Sequence, residues 1–404
     1  MRPFDRSKPV FKAVPMAFFR NRTVNLLNLH YGIHAIAMSG GGAFFAIYLL
    51  RSGVPIPGVL ITLAAILLGR FILRPLVIIF AARLGLRAMV VAGTMVSAAQ
   101  YPLLAEVHGI GSALATLIAI SAAGDTIYWT TYHAYFASLG DDELRGRQIG
   151  AREAIGATVG VASPLAAGWL LVAFGPRVAF GTTAIIAALS ALPLLWTPRI
   201  AVESHVPGAF RAALPGVLLF AADGWTASGY YFVWQIALFV SLGESFIAFG
   251  GALAFAALAG AIGSLTLGRH IDAGHGGRAV WYACGTLAAI VLLRATATGN
   301  AGLAVLANAL GAFGACLYIP TIMTAVYTLA KRAPCTLRFH VAAEGGWDAG
   351  GAAGLSIAAL AIACGMPLAG SILVSLGGVT ATAIMLRRYY APAQASAVAG
   401  PARF

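Results

Sequence analysis

Residues 268–278 read GRHIDAGHGGR, and the meaning of this stretch decides the fold. It carries Gly268, Gly274, Gly276 and Gly277, one acid, Asp272, and the basic residues Arg269 and Arg278, all between long apolar runs. A worn copy stands about 190 residues earlier, again just after an apolar run: Ala82, Arg83, Leu84, Gly85, Leu86 and Arg87. A short polar turn repeated half a chain apart points to two related halves.

Around these turns, the composition identifies the solvent. Of 404 residues, 60% are hydrophobic and 10% charged, and the mean hydropathy is +0.86. A soluble domain keeps about 25% charged residues, so this chain lacks the polar surface to cover itself in water. Its apolar runs of roughly 18 to 31 residues are long enough, as helices, to cross about 30 Å of hydrocarbon. Lipid offers backbone groups no partner, and the runs lack the alternation of barrel strands, which leaves α-helices. The cysteines Cys284, Cys316, Cys335 and Cys364 fit no metal spacing and no disulfide framework.

Cutting at charges, prolines and glycine clusters predicts spans near 24–50, 56–81, 88–106, 109–137, 152–175, 179–196, 213–241, 246–270, 279–298, 300–330, 342–364 and 367–386. The widest polar connection, 197–212, falls at the midpoint. The expected fold is an all-α membrane protein, with twelve transmembrane helices in two pseudo-symmetric six-helix bundles, 24–196 and 213–386. The rest is an arm (1–23), a linker (197–212) and a tail (387–404). The first residues are basic and proline-broken, and read as a cytoplasmic arm rather than a signal peptide. With the N-terminus inside, only Arg51, Arg177 and Arg294 of the 26 basic residues fall outside, and Arg70 and Arg74 lie within the second span. That bias accounts for the net charge of +13 without a nucleic-acid partner. It sets both termini and the linker in the cytoplasm, and a bacterial inner membrane is the expected location. At the repeat offset Gly53 also matches Gly243, and Gly124 and Tyr128 match Gly314 and Tyr318.

The turn at 268–278 resembles the loop between helices 2 and 3 of the major facilitator superfamily and its repeat between helices 8 and 9. The family pattern is Gly, three residues, Asp, Arg, one residue, Gly, then two basic residues. Gly268 and Asp272 keep the first spacing and Arg278 the basic end, whereas Ala273 replaces the arginine and Gly274 and Gly276 flank the register. The first-half copy keeps Arg83, Gly85 and Arg87 but has Ala82 in place of the acid. Gly150, Ser163, Pro164, Ala167 and Gly168 resemble part of the antiporter motif of drug-exporting members, and ordinary helix packing by small residues is the alternative. The family's fourth-helix arginine is absent, since no arginine lies between Ser112 and Phe136.

Ionisable groups inside a span cost roughly 2.5 to 3.5 kcal/mol on insertion scales and are functional candidates by default. Asp125, Trp129 and Tyr132, with Tyr128 alongside, recur at three- and four-residue steps. An acid beside aromatic rings can hold a proton or a cation, or be a buried Asp tied to a neighbouring helix. Asp223, Trp225, Tyr230, Tyr231 and Gln235 form a looser set in the seventh span. His30 and His34 are one turn apart without a marked third ligand, so lining or packing is preferred and no metal is expected.

Arg70 and Arg74 are one turn apart, as are Glu344 and Asp348. Similar depths, and the neighbouring of helices 2 and 11 that the resemblance implies, lead to an expected Arg74–Asp348 or Arg74–Glu344 contact. The resemblance also sets helix 8 beside helix 5, so Asp272 is expected to pair with Arg152, with Glu153 adjoining.

The resemblance implies a secondary transporter that moves a small solute by alternating access. Asp125, Glu153, Asp223, Glu344 and Asp348 are candidates for proton coupling, and the partial antiporter motif favours export over uptake by symport. No cofactor is expected, and a monomer is. A membrane-embedded enzyme would need groups from separate spans, since no GxSxG, HExxH, P-loop or CxxC is present. A transporter-like sensor is a third class. The hints to substrate charge conflict: the acids and aromatics favour an organic cation, and the arginines an anion.

Overall fold

The computed structural model describes residues 21–139, 145–202, 206–271 and 276–398, and their side chains except at 137, 145–154, 265–271, 276, 277 and 392–398. The regular elements among them are helices. They are α1 (Arg22–Ser39), α2 (Phe45–Arg51), α3 (Ile56–Leu84), α4 (Leu86–Ala105), α5 (Ser112–Leu139), α6 (Arg145–Ala173), α7 (Gly175–Leu189) and α8 (Ala209–Ala212). After these come α9 (Leu214–Ala227), α10 (Trp234–Ser241), α11 (Phe246–Ile271), α12 (Gly276–Ala297), α13 (Ala301–Arg332), α14 (Thr336–Ala363), α15 (Leu368–Ile372) and α16 (Ser375–Val398).

Among the described residues, ten helical stretches are long and apolar enough to cross a membrane. Two more of the expected spans are helical without meeting that measure. α5 is 28 residues long but carries Asp125 and a polar run through His133. The stretch from α9 to α10 is interrupted by a π turn, Ser228–Val233, so neither helix is long enough alone.

Local chemistry explains the ends and breaks. The Asn21 side chain accepts from Val24 N at 3.1 Å and the Asn300 side chain from Leu303 N at 3.0 Å, satisfying first-turn donors that lipid cannot. α1 stops at Gly40, and a 3-10 turn over Gly41–Phe44 carries the chain into α2. A Cβ at Gly41 would overlap the Thr183 side chain, so the glycine run serves both the break and the close approach to α7. α3 ends at Gly85, whose φ of 79° a side chain would resist.

Three helices begin before, or run past, their apolar cores. α6 starts at Arg145 rather than near 152, α14 at Thr336 rather than near 342, and α16 continues to Val398. A hydrophobicity cut sees the hydrocarbon boundary, whereas hydrogen bonding continues the helix beyond it. As a correction, Glu344 and Asp348 therefore lie roughly two and three turns into α14, not at its mouth.

The packing pairs recur. α3 packs on α5, α4 on α5 and α7, and α1 on α6 and α7. At matching places in chain order α11 packs on α13, α12 on α13 and α16, and α9 on α14 and α16. The sets are joined chiefly by α14 on α3 and α11 on α6, with α10 on α2 and α14 on α5 beside them. At one end Arg51 Nη1 meets Glu244 Oε2 at 3.1 Å, tying the end of α2 to the turn before α11. At the other end the linker lies against α4: Leu86 N donates to Ile200 O at 2.9 Å and Arg87 Nη1 to Thr197 O at 2.9 Å.

Candidate functional site

α14 can sit between α3 and α9 because of its glycines. On one side a Cβ at Gly345 would only touch Arg74 and Phe71. On the other, a Cβ at Gly346 or Gly350 would run into the backbone of α9 at Val217 or Ala221. This approach brings the charged pairs of α3 and α14 together. Arg74 donates to Asp348 Oδ2 through Nε at 2.7 Å and reaches the same oxygen through Nη2 at 2.6 Å. Its Nη1 donates to Glu344 Oε2 at 2.8 Å and to Thr130 Oγ1 of α5 at 3.0 Å. Arg70 Nη2 lies 3.1 Å from Asp348 Oδ1. The other Glu344 oxygen, Oε1, meets His133 Nδ1 at 2.8 Å. Asp348 is fully buried and Arg74 nearly so. Buried charges stay ionised only with close partners, and removing one partner typically costs about 3–5 kcal/mol.

The polar belt continues toward α9 and α13. The Arg70 guanidinium carbon stands 5.9 Å from the Trp347 ring centroid. Trp347 Nε1 donates to Asp223 Oδ2 at 3.1 Å, and Tyr318 OH to Asp223 Oδ1 at 2.6 Å. On α5, Asp125 lies within electrostatic reach of Arg70 and Asp348. Among the described residues it makes neither a hydrogen bond nor an ion pair. Asp125 and Asp223 are half-buried, and Tyr231 is exposed.

A second cluster lies inside the α1–α5–α7 packing. His30 Nδ1 is 2.7 Å from Ser190 O, a carbonyl that can only accept, so this nitrogen carries the proton. Its Nε2 faces Tyr128 OH at 3.0 Å. His34 packs 4.2 Å from the Tyr128 ring, centroid to centroid, and Tyr132 stacks on Tyr128 at 5.5 Å. All four side chains are buried.

The expected residues thus divide. Arg70, Arg74, Glu344 and Asp348 meet, and Asp223 joins them through Trp347. His30, His34, Tyr128 and Tyr132 form their own buried group, with Trp129 5.4 Å from the His133 ring and so bridging toward the belt. Trp225 Nε1 donates to Val374 O at 2.9 Å, beside α15 and α16, and Gln235 Oε1 has no hydrogen-bond partner. Arg83 and Arg278 are exposed. Gly85 and Arg87 hold the linker, a role that does not involve the missing acid of the first-half turn. Gly268 lies in α11, and the Arg152 and Glu153 positions lie in α6, with side chains outside those described. Asp272 and Gly274 lie outside the described residues, so their pairing has no geometry to report.

Sequence reasoning missed Thr130, His133, Trp347 and Tyr318. His133 had a signal, standing one turn beyond Trp129 and two beyond Asp125. A cavity of ≈ 200 Å³ under the linker, lined by Thr130, Ile200, Val202, Cys335 and Arg338 among others, had none. Among the described residues no group of three or more His, Cys, Asp or Glu is arranged to hold a metal.

With this geometry in view, three solved structures are similar in fold. The POT family transporter PepTSo matches with a TM-score of 0.68 at 12% identity, over 93% of this chain and 99% of its own. An auto-inhibited POT family peptide transporter matches at 0.63 and 13%, over 92% and 97%. The human organic anion transporter MFSD10 (TETRAN) matches at 0.63 and 15%, over 90% and 99%. At these identities the likeness is one of fold. No curated protein sequence matches the chain. A family model described as Major Facilitator Superfamily matches residues 27–334.

Proposed function

The chain belongs to the major facilitator superfamily, and from that premise we propose that it is a proton-coupled secondary transporter moving a small organic solute by alternating access. In this reading twelve transmembrane helices form two six-helix bundles, residues 24–196 and 213–386. Both termini and the linker are cytoplasmic, at a bacterial inner membrane. The recurring helix pairs support the two bundles, and the bias of basic residues supports the orientation.

One observation carries the functional reading. The charged belt joins α3 and α5 to α14, and through Trp347 to α9 and α13, at the contact between the two sets of helices. Charges kept inside a membrane belong to pathways and relays more often than to scaffolding. Asp125, Asp223, Glu344 and Asp348 are the acids that take up and release protons, and the partial antiporter motif favours export. The turn at 268–278 acts as a cytoplasmic latch, with Asp272 on Arg152 when that side is shut. Non-additive losses in Asp272→Asn, Arg152→Ala and the double variant are its expected signature, and simple addition removes the pairing.

The test is flux into proteoliposomes enclosing a pH-sensitive dye, with a panel of organic cations, anions and dipeptides outside. A solute that moves protons, and whose own movement stops when the pH gradient is collapsed, is the expected result. Binding without flux for every solute makes the protein a sensor instead.

A further inference from the structure

The charges of the belt do not balance, and from this we infer that the solute is an organic cation. The inference rests on the transporter reading above and assigns the charge of what is carried. Sequence alone leaves two opposed hints, acids with aromatics against arginines. The geometry separates them, because both arginines already stand in ion pairs with carboxylates. Arg74 donates through Nε to Asp348 and through Nη1 to Glu344, and Arg70 Nη2 forms an ion pair with the other oxygen of Asp348, while Arg70 Nε and Arg74 Nη2 have no hydrogen-bond partner. Two guanidinium groups meet two carboxylates, and Glu344 also holds His133.

Two acids remain. Asp223 is held only by uncharged donors, the Tyr318 hydroxyl and the Trp347 indole. Asp125 has no hydrogen bond or ion pair among the described residues, and the nearby Arg70 is committed to Asp348. They come from different helix sets, α5 and α9, and both are half-buried. An ionised carboxylate in such a place, with no ion pair of its own, is unfavourable. A cationic solute supplies the missing charge. Aromatic surface accompanies both acids: Trp129 is one turn from Asp125, and the indole of Trp347 adjoins Asp223. Aromatic side chains near carboxylates favour organic ammonium ions over anions.

Binding to purified protein tests this with charge-matched probes: phenethylamine and tetraphenylphosphonium as cations, phenylpropionate and tetraphenylborate as anions. We expect saturable binding of at least one cation, weakened about tenfold or more in Asp125→Asn and in Asp223→Asn. The charge-preserving Asp125→Glu and Asp223→Glu should keep it, and neither anion should compete. Melting temperatures identify any Asn variant that fails to fold, and in that event the cation–anion comparison on the wild type decides. Binding of an anion in preference, no cation binding at all, or cation binding unchanged in both Asn variants overturns the proposal. Flux is read separately: a cation bound but never moved sinks the transporter reading and leaves this one, whereas anions moved and cations ignored do the reverse.

Discussion

Tyr128 and Tyr318 stand at matching places in the two sets of helices, four residues after Gly124 and Gly314, yet they serve different partners. Gly124 lets α5 lie against Ser97 of α4, and Gly314 lets α13 lie against Thr286 and Ile290 of α12. From those equivalent positions the Tyr128 hydroxyl meets an imidazole, His30 on α1, and the Tyr318 hydroxyl meets a carboxylate, Asp223 on α9. His30 is sealed by Ser190 and has no exposed surface, whereas Asp223 keeps some and is linked through Trp347 to the belt. One scaffold holds a closed polar contact in the first set and an open, ionisable one in the second. In our reading the first is a fastening and the second is part of the transport chemistry.

The largest expected effect cuts what joins the two sets. Arg74→Met leaves Asp348 and Glu344 short of their shared cation and should lower stability by about 3–5 kcal/mol. Arg74→Met with Asp348→Leu should recover part of that loss in thermal unfolding, because the orphaned charge is gone. Next comes the contrast itself. Asp223→Asn should lower transport by about a hundredfold with little change in melting temperature, and His30→Gln should do the opposite, costing about 1–3 kcal/mol through the Ser190 carbonyl and keeping transport within a few-fold. A His30 variant that folds normally but is transport-dead would erase the distinction. The tyrosines sharpen it further: Tyr128→Phe and Tyr318→Phe should each cost about 1 kcal/mol, with only Tyr318→Phe altering flux.

The smallest effect lies outside the membrane. Arg177 Nε meets Glu106 Oε1 at 2.8 Å, and this hydrogen-bonded guanidinium holds the Glu106 carboxyl below the usual carboxylate range. A depressed folded pKa means the pair stabilises fully above the unfolded carboxylate pKa and stops doing so as pH falls through the folded value. Both groups are exposed, so Glu106→Gln should change the acid side of a melting-temperature profile only slightly.

Much of this was legible in the chain, for identifiable reasons. Apolar run length locates helices because the hydrocarbon has a fixed thickness, and one-turn spacing on two neighbouring helices led to the Arg74–Asp348 contact. What stayed hidden depends on which helix faces which. Nothing local says that Tyr128 looks toward His30, that Arg87 holds Thr197, or that Arg70 and Arg74 are both engaged. The π turn at Ser228–Val233 was equally invisible, since its residues are as apolar and aromatic as an ordinary helix.

In the function proposed above, the two sets of helices rock about the belt, opening one end as the other closes. Double electron–electron resonance between spin labels at 51 and 244, and separately between labels at 84 and 336, measures both ends directly. Acidifying the medium should shift the two distance distributions in opposite directions. Two distributions that stay fixed, or that lengthen together, would contradict it.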